Sequence, residues 1–326
     1  MPLLLRSELC EVKIKLPNMA LEPAVPVSPM SAAASADRWA DRKPGMQRSF
    51  LLDTSAFRAV PADRLETASR SARLYVSPFC FWELLTHLED DGQFGRVKGN
   101  LMKFRHVSVL DDPQAEVDRQ VLGSSEKVHA RVLDGDLVYA ILAALRDSES
   151  TQEFYDRSIR DERGQVRQIA GCVSRVREVL QIEENRFQGF IEQIVAAVRT
   201  GQVYLTEVSD RDQGVLDLIR GRWLQIGDRI AESADVYEQF VRRMYIYSSY
   251  VVHRACEYAA RDTIKIDPND FEDARFCLHL GLDAGTTVVT DDTGLRRCLE
   301  AAVETLNAMA DGSRHSSLRV CDTTAF

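Results

Sequence analysis

Hydrophobic residues fall into two patterns along the chain. Short apolar runs alternate with helical stretches near residues 49–112 and again near 267–326. Ser49–Asp53 (SFLLD) is an apolar run closed by an acid, with Thr54 and Ser55 behind it as turn or cap residues. Arg73–Val76 predicts a second strand. Ser77 and Pro78 then open a helix to about Asp90, with a hydroxyl at the N-cap and proline at the first helical position. A helix over Phe94–Phe104 leads to a third strand at Val107–Leu110. Further on, Asn269 and Glu272 have capping-box spacing at the head of a helix that stops at Gly281. Thr286–Thr290 (TTVVT) predicts a buried strand, Gly294–Met309 a helix and Ser317–Cys321 a last strand. Strands alternating with helices predict an α/β fold with a parallel, doubly wound sheet.

The interval from about Ala130 to Lys265 reads differently. Helical periodicity runs through Asp136–Asp147, Gln165–Leu180, Arg186–Arg199, Asp210–Leu224 and Asp228–Ala260, and no strand run interrupts it. This predicts an all-helical insertion. The first 48 residues are Pro-, Ser- and Ala-rich between Leu21 and Ser35 and predict a disordered tail, with Met46 as an alternative start. The expected organisation is therefore a tail (1–48), an α/β domain in two parts (49–129 and 266–326) and the insertion (130–265).

Composition adds exclusions. The chain has 326 residues, 45% hydrophobic and 28% charged, as a globular protein does. Its longest apolar run, Leu137–Leu145, is nine residues and too short for a membrane span. The Pro2–Leu5 stretch is too short for a signal-peptide core. Seven scattered cysteines show no paired or zinc-like spacing, which predicts a reducing, cytoplasmic setting. Net charge is −9, from 41 basic and 50 acidic residues, so any contact with nucleic acid needs a local basic patch. Arg157, Arg160, Arg163 and Arg167 would form one such stripe on a helix, although Asp156, Asp161 and Glu162 make a solvated face the better reading. Tyr237, Phe240, Tyr245, Tyr247 and Tyr250 could stack bases but read better as helix core or an oligomer interface.

The chemistry lies in the acids. Asp53 ends the first strand, and Asp291 and Asp292 follow TTVVT, at the strand ends where open parallel sheets form sites. Glu83 lies in the helix after strand two, and Asp273 in the first turns of the helix before TTVVT. Carboxylates gathered in one crevice raise each other's pKa, and a hard divalent cation, Mg²⁺ or Mn²⁺, resolves the repulsion. Such sites hydrolyse phosphodiesters. Taken singly, each acid reads as a turn or cap residue. A haloacid-dehalogenase-type phosphatase needs an acid where Ser55 stands. Glycine spacing supports neither a P-loop nor a dinucleotide fingerprint, and no nucleophile elbow is present. The six histidines form no metal pair, and His279 reads as packed.

FLLDTSAF (Phe50–Phe57), VSPFCFWELL (Val76–Leu85), DARFCLHLG (Asp273–Gly281) and VVTDDTGL (Val288–Leu295), in this order, resemble the PIN-domain family. Gly95–Asp112 is similar to that family's middle segment. The resemblance implies a three-layer α/β/α sandwich around a parallel sheet, with the helical insertion as an addition. It implies an Mg²⁺- or Mn²⁺-dependent endoribonuclease with Asp53, Glu83, Asp273 and Asp292 as metal ligands. Thr290, the hydroxyl residue of T-x-D, would orient an acid, and Thr54 or Ser55 would do so beside Asp53. Asp270 and Asp291 stand as alternative ligands. RNA is the implied substrate. A toxin role with a small inhibitory protein partner and a homo-oligomeric state are further implications. The alternatives are a silent PIN-like module binding RNA or protein, and a structure-specific DNA nuclease. Glu83 and Asp273 are 190 residues apart, far more than in compact members of that family.

Overall fold

The computed structural model describes residues 48–89, 93–113, 135–160, 165–205, 207–226, 234–280, 286–309, 319–324 and 326. The tail expected over residues 1–48 lies outside them, apart from Arg48, and so do Cys10 and Arg163. The fold is α/β and mostly helical, built on a five-stranded parallel sheet.

Strand β1 (Arg48–Leu52) sits at the centre. On one side it pairs with β2 (Ala72–Val76), which pairs with β3 (Ser108–Val109). On the other it pairs with β6 (Thr286–Val289), which pairs with β7 (Arg319–Cys321). Leu51 and Leu52 are both buried, as are Val288 and Val289, because a central parallel strand is covered on both faces. The chain leaves β1 in one direction and returns beside it through β6, so sheet order reverses between these two strands.

Short helices α1 (Thr54–Ala59) and α2 (Ala62–Ser69) join β1 to β2. Helix α3 (Pro78–Thr86) begins as its sequence predicts, with Ser77 Oγ accepting from Phe79 N at 3.3 Å and Pro78 following. It stops at Thr86, and a 3₁₀ turn over His87–Glu89 replaces the last expected turn. Helix α4 (Phe94–Leu101) likewise gives way to a 3₁₀ stretch at Met102–His106. Behind the site Phe57, Phe81 and Phe104 interlock, with ring centroids 4.5 Å (Phe57–Phe104) and 5.4 Å (Phe81–Phe104) apart. His279 Nε2 lies 3.2 Å from Ser77 Oγ, so this hydroxyl serves two elements. Ser77→Ala is expected to lower the unfolding free energy by about 1–2 kcal/mol in urea melts, the scale of a lost N-cap.

The interval expected to be all helical is not. Helices α5 (Gly135–Arg146) and α6 (Thr151–Asp156) are followed by an antiparallel pair, β4 (Ser158–Arg160) and β5 (Val166–Gln168). Arg157 caps α6 while Arg160 and Arg167 lie on these two strands, so the arginines do not form a helical stripe. Arg157 instead pairs with Glu153 at 2.6 Å and donates to Asp147 O.

Helix α7 (Ile169–Arg199) is continuous for 31 residues where the periodicity predicts two helices. The polar interruption at 181–186 has a long-range cause. Glu183 forms an ion pair with buried Arg275, whose guanidinium also faces Phe79 and Phe271. Helix α8 (Val208–Ile226) packs on α9 (Ala234–Ala259), with Trp223 against Tyr237 and Phe240. Phe240, Tyr245 and Tyr250 are buried, in keeping with a core role. Helix α9 touches α7 and α8, and also α10 (Asn269–Cys277) and α11 (Thr293–Met309). One continuous hydrophobic core therefore runs from the sheet into these long helices. Among the described residues no helix is long and apolar enough to cross a membrane.

Candidate functional site

Parallel sheets expose a crevice at the carboxyl ends of strands where their order reverses. Here that point is the β1–β6 boundary. Asp53 stops β1 there and starts α1, as its Oδ1 accepts from Ala56 N at 2.7 Å. Thr290, directly after β6, donates from Oγ1 to Asp53 Oδ2 at 2.6 Å and bridges the two strands. Ser55 Oγ donates to the same carboxylate at 2.9 Å and accepts from Asp291 N at 3.1 Å. Thr54 hydrogen-bonds the buried Cys80 thiol instead. Thr290 thus orients Asp53, while its Oγ1 accepts from Asp292 N at 3.1 Å.

Asp292 turns its Oδ1 onto Leu295 N at 2.8 Å and opens α11. Asp291 points elsewhere, accepting from Thr323 N and Oγ1. Asp273 accepts from Tyr250 Oη at 3.1 Å through Oδ2. Asp270 is held in an ion-pair network of its own, accepting from Arg254 Nε at 2.8 Å and Tyr258 Oη at 2.5 Å, with Tyr250 Oη also 3.1 Å from its Oδ1. The two alternative ligands, Asp270 and Asp291, are each committed to structural partners.

The charges of three acids reach one another. Burial lifts the Asp53 carboxyl to about pH 6 against the hydrogen bonds from Thr290, Ala56 and Ser55, and the charge of Asp292 adds to the rise. Asp273 is raised by burial and then by the charges of Asp292 and Asp53. Glu83 meets a partner that its sequence context did not announce. Glu272 is raised by burial, then by the charge of the adjacent Glu83 carboxylate and a hydrogen bond with it. The expected capping box is therefore not made. Pro268 stands at the N-cap with no side-chain cap bond, Asn269 lies inside the helix, and Asp267 Oδ1 accepts from Asn269 N at 3.0 Å. Arg58 Nη1 lies 4.0 Å from Glu83 Oε1.

Cys80 lies beneath this group, and its thiol is pushed up by burial and then by the charge of Glu83, which keeps it protonated. His279 is driven down to about 3 by burial and then by Arg243 and Arg275, so it is a neutral packing residue. Among the described residues, no three His, Cys, Asp or Glu side chains converge as a ready metal-ligand group.

Tyr250 is the residue that sequence reasoning placed in the core without a role at the acids. Its hydroxyl reaches both Asp273 and Asp270 from α9. With Arg254 and Tyr258 already donating to Asp270, the Tyr250 proton is best spent on Asp273. Tyr250→Phe is expected to cost about 1–2 kcal/mol of stability, the loss from leaving a buried acceptor short of a donor. Urea melts with an unchanged m-value are the check. The chain matches no family model, no curated protein and no solved structure.

Proposed function

We propose that the chain is a PIN-like, divalent-metal-dependent endoribonuclease with a three-layer α/β/α architecture. The observation that carries this reading is the Asp53–Thr290 bridge at the reversal point of the sheet, with the charge of Asp292 near enough to raise the Asp273 carboxyl. The donor set is made of carboxylate oxygens, which suits Mg²⁺ or Mn²⁺. Asp53, Asp273 and Asp292 would hold the ion, with Glu83 at the edge beside Glu272. Bound there, a divalent ion supplies an activated water and neutralises charge that develops on the phosphate.

The chain's own groups do the positioning. Thr290 and Ser55 fix the Asp53 carboxylate from two sides, and the α1 amide at Ala56 holds its other oxygen. Tyr250 orients Asp273 through Oδ2. Leu295 N engages Oδ1 of Asp292. The remaining oxygens of Asp273 and Asp292 are those a cation would take.

The test is an incubation of the protein with end-labelled single-stranded RNA and matching DNA, with Mn²⁺, Mg²⁺ or EDTA. Metal-dependent cleavage of RNA is the expected result. Cleavage of DNA alone would replace this reading with a DNA nuclease. Metal binding with no cleavage of either strand would leave a binding module.

A further inference from the structure

A second feature borders the carboxylate crevice. A cavity of about 580 Å³ lies between α1, α3 and α4, within the usual range of about 300–1,000 Å³ for ligand pockets. Arg58, Arg96 and His87 supply its basic groups, and Gln93, Asn100 and Ser55 its neutral polar ones. Leu84, Val97 and Ala59 form an apolar wall. Among the described residues no acid lines it, in a chain whose net charge is −9. A pocket of one sign in an oppositely charged protein focuses its field on ligands of the protein's own sign, here anions.

The cavity is built rather than incidental. Lys103 is buried and donates from Nζ to Arg58 O at 3.0 Å and to Phe57 O at 3.4 Å. That clamps the end of α1 from which Arg58 projects. Arg96 Nη2 donates to Gln93 Oε1 across the first turn of α4. The cavity also joins the acids directly. Ser55 lines it and donates to Asp53, while Arg58 reaches toward Glu83.

Guanidinium groups recognise phosphate, amides offer both donors and acceptors, and an apolar wall accepts a sugar or base face. We propose that this cavity is the subsite for the nucleotide adjoining the phosphate to be cut, with Arg58 and Arg96 on its phosphate and the Leu84–Val97 wall against its sugar or base. The assignment rests on the reading of the carboxylate crevice as a ribonuclease site. It gives that site the local basic patch that the overall charge denies it. It also places strand recognition on α1 and α4 rather than on the arginines of residues 157–167.

The experiment is fluorescence anisotropy of a labelled single-stranded oligoribonucleotide with the full chain in EDTA, so that no strand is cut, over a series of salt concentrations. The double variant Arg58→Ala/Arg96→Ala is expected to bind about tenfold to a hundredfold more weakly. Its slope of log K against log salt should flatten by about 1.4, the change for two phosphate contacts to a single strand. Arg58→Lys/Arg96→Lys keeps the charges, so it should keep the slope while losing part of the affinity. Unchanged affinity and slope in the alanine variant, shown folded by its melting curve, would overturn the proposal. If that variant also cleaved RNA as the parent does, the ribonuclease reading would stand without this subsite. If the parent cut neither strand with any metal but RNA affinity still depended on both arginines, the cavity would stand as a nucleic-acid site and the ribonuclease reading would fall.

Discussion

Asp53→Asn is expected to remove metal-dependent cleavage and, in the metal-free protein at alkaline pH, to make the chain more stable. The first effect follows from position. Asp53 is the acid at the reversal point of the sheet, held by Thr290, Ser55 and Ala56 N. Losing an outer partner of a metal ligand costs about 10–100-fold in activity or affinity, so losing the ligand's charge should cost at least about a hundredfold. The second effect follows from burial. The folded Asp53 carboxyl titrates near 6 rather than at its ordinary 3.8, so the folded state holds this proton more tightly than the unfolded chain does. Its contribution to stability is therefore fully present below about pH 3.8, declines as pH rises, and is lost above about pH 6. The span is roughly two pKa units, or about 3 kcal/mol at most.

An asparagine keeps the N-cap, since Asn and Asp cap about equally well, and carries no charge to desolvate. Urea melts in EDTA should therefore show Asp53→Asn ahead of the parent by up to about 3 kcal/mol at pH 8, with the gap closing toward pH 4. Added Mn²⁺ should reverse the order, because ligand binding stabilises only the chain that retains the site. Full metal-dependent cleavage by Asp53→Asn would sink the ribonuclease reading. A stability difference that does not change with pH would show that Asp53 is not desolvated as described.

The difference between what the chain's pattern revealed and what it hid is a difference of range. β1, β6 and the acids closing them were legible because a buried parallel strand is an unbroken apolar run, and the residue after it meets the crevice. Ser77 and Pro78 were legible for the same local reason. The long helix α7 was not, since Glu183 breaks the apolar stripe to meet Arg275, 92 residues further on. The hairpin of β4 and β5 was hidden because its strands are three residues each and mostly exposed. Glu272 read as a cap from its spacing to Asn269. Its true partner, Glu83, lies on another element, and spacing along one helix carries no trace of it. Tyr250 was legible as a buried aromatic, but its hydroxyl partners were not.

The long helices are tied to the α/β part by a charge, and breaking that tie should have the largest effect on stability. Asp270 is 3% exposed and accepts from Arg254 and Tyr258, both on α9. Tyr258 Oη also accepts from Asp267 N at 2.7 Å, which fixes the chain entering α10. Arg254→Met keeps most of the side-chain volume but leaves the Asp270 carboxylate buried without its countercharge. Removing one partner of a buried pair costs about 3–5 kcal/mol, because the other charge remains out of water. Arg254→Met should therefore lose about that much in urea melts. Asp270→Asn should also be destabilising, since among the described residues Arg254 then keeps only Glu257 as an acidic partner. The double variant Arg254→Met/Asp270→Asn has no orphaned charge at the pair and should lose much less than the sum of the two. Additivity within about 0.5 kcal/mol would mean that the two side chains do not act as a pair. Because the same helices carry Tyr250 and Asp273, Arg254→Met should weaken Mn²⁺ binding as well, whereas Ser77→Ala, which lies off this network, should leave it unchanged.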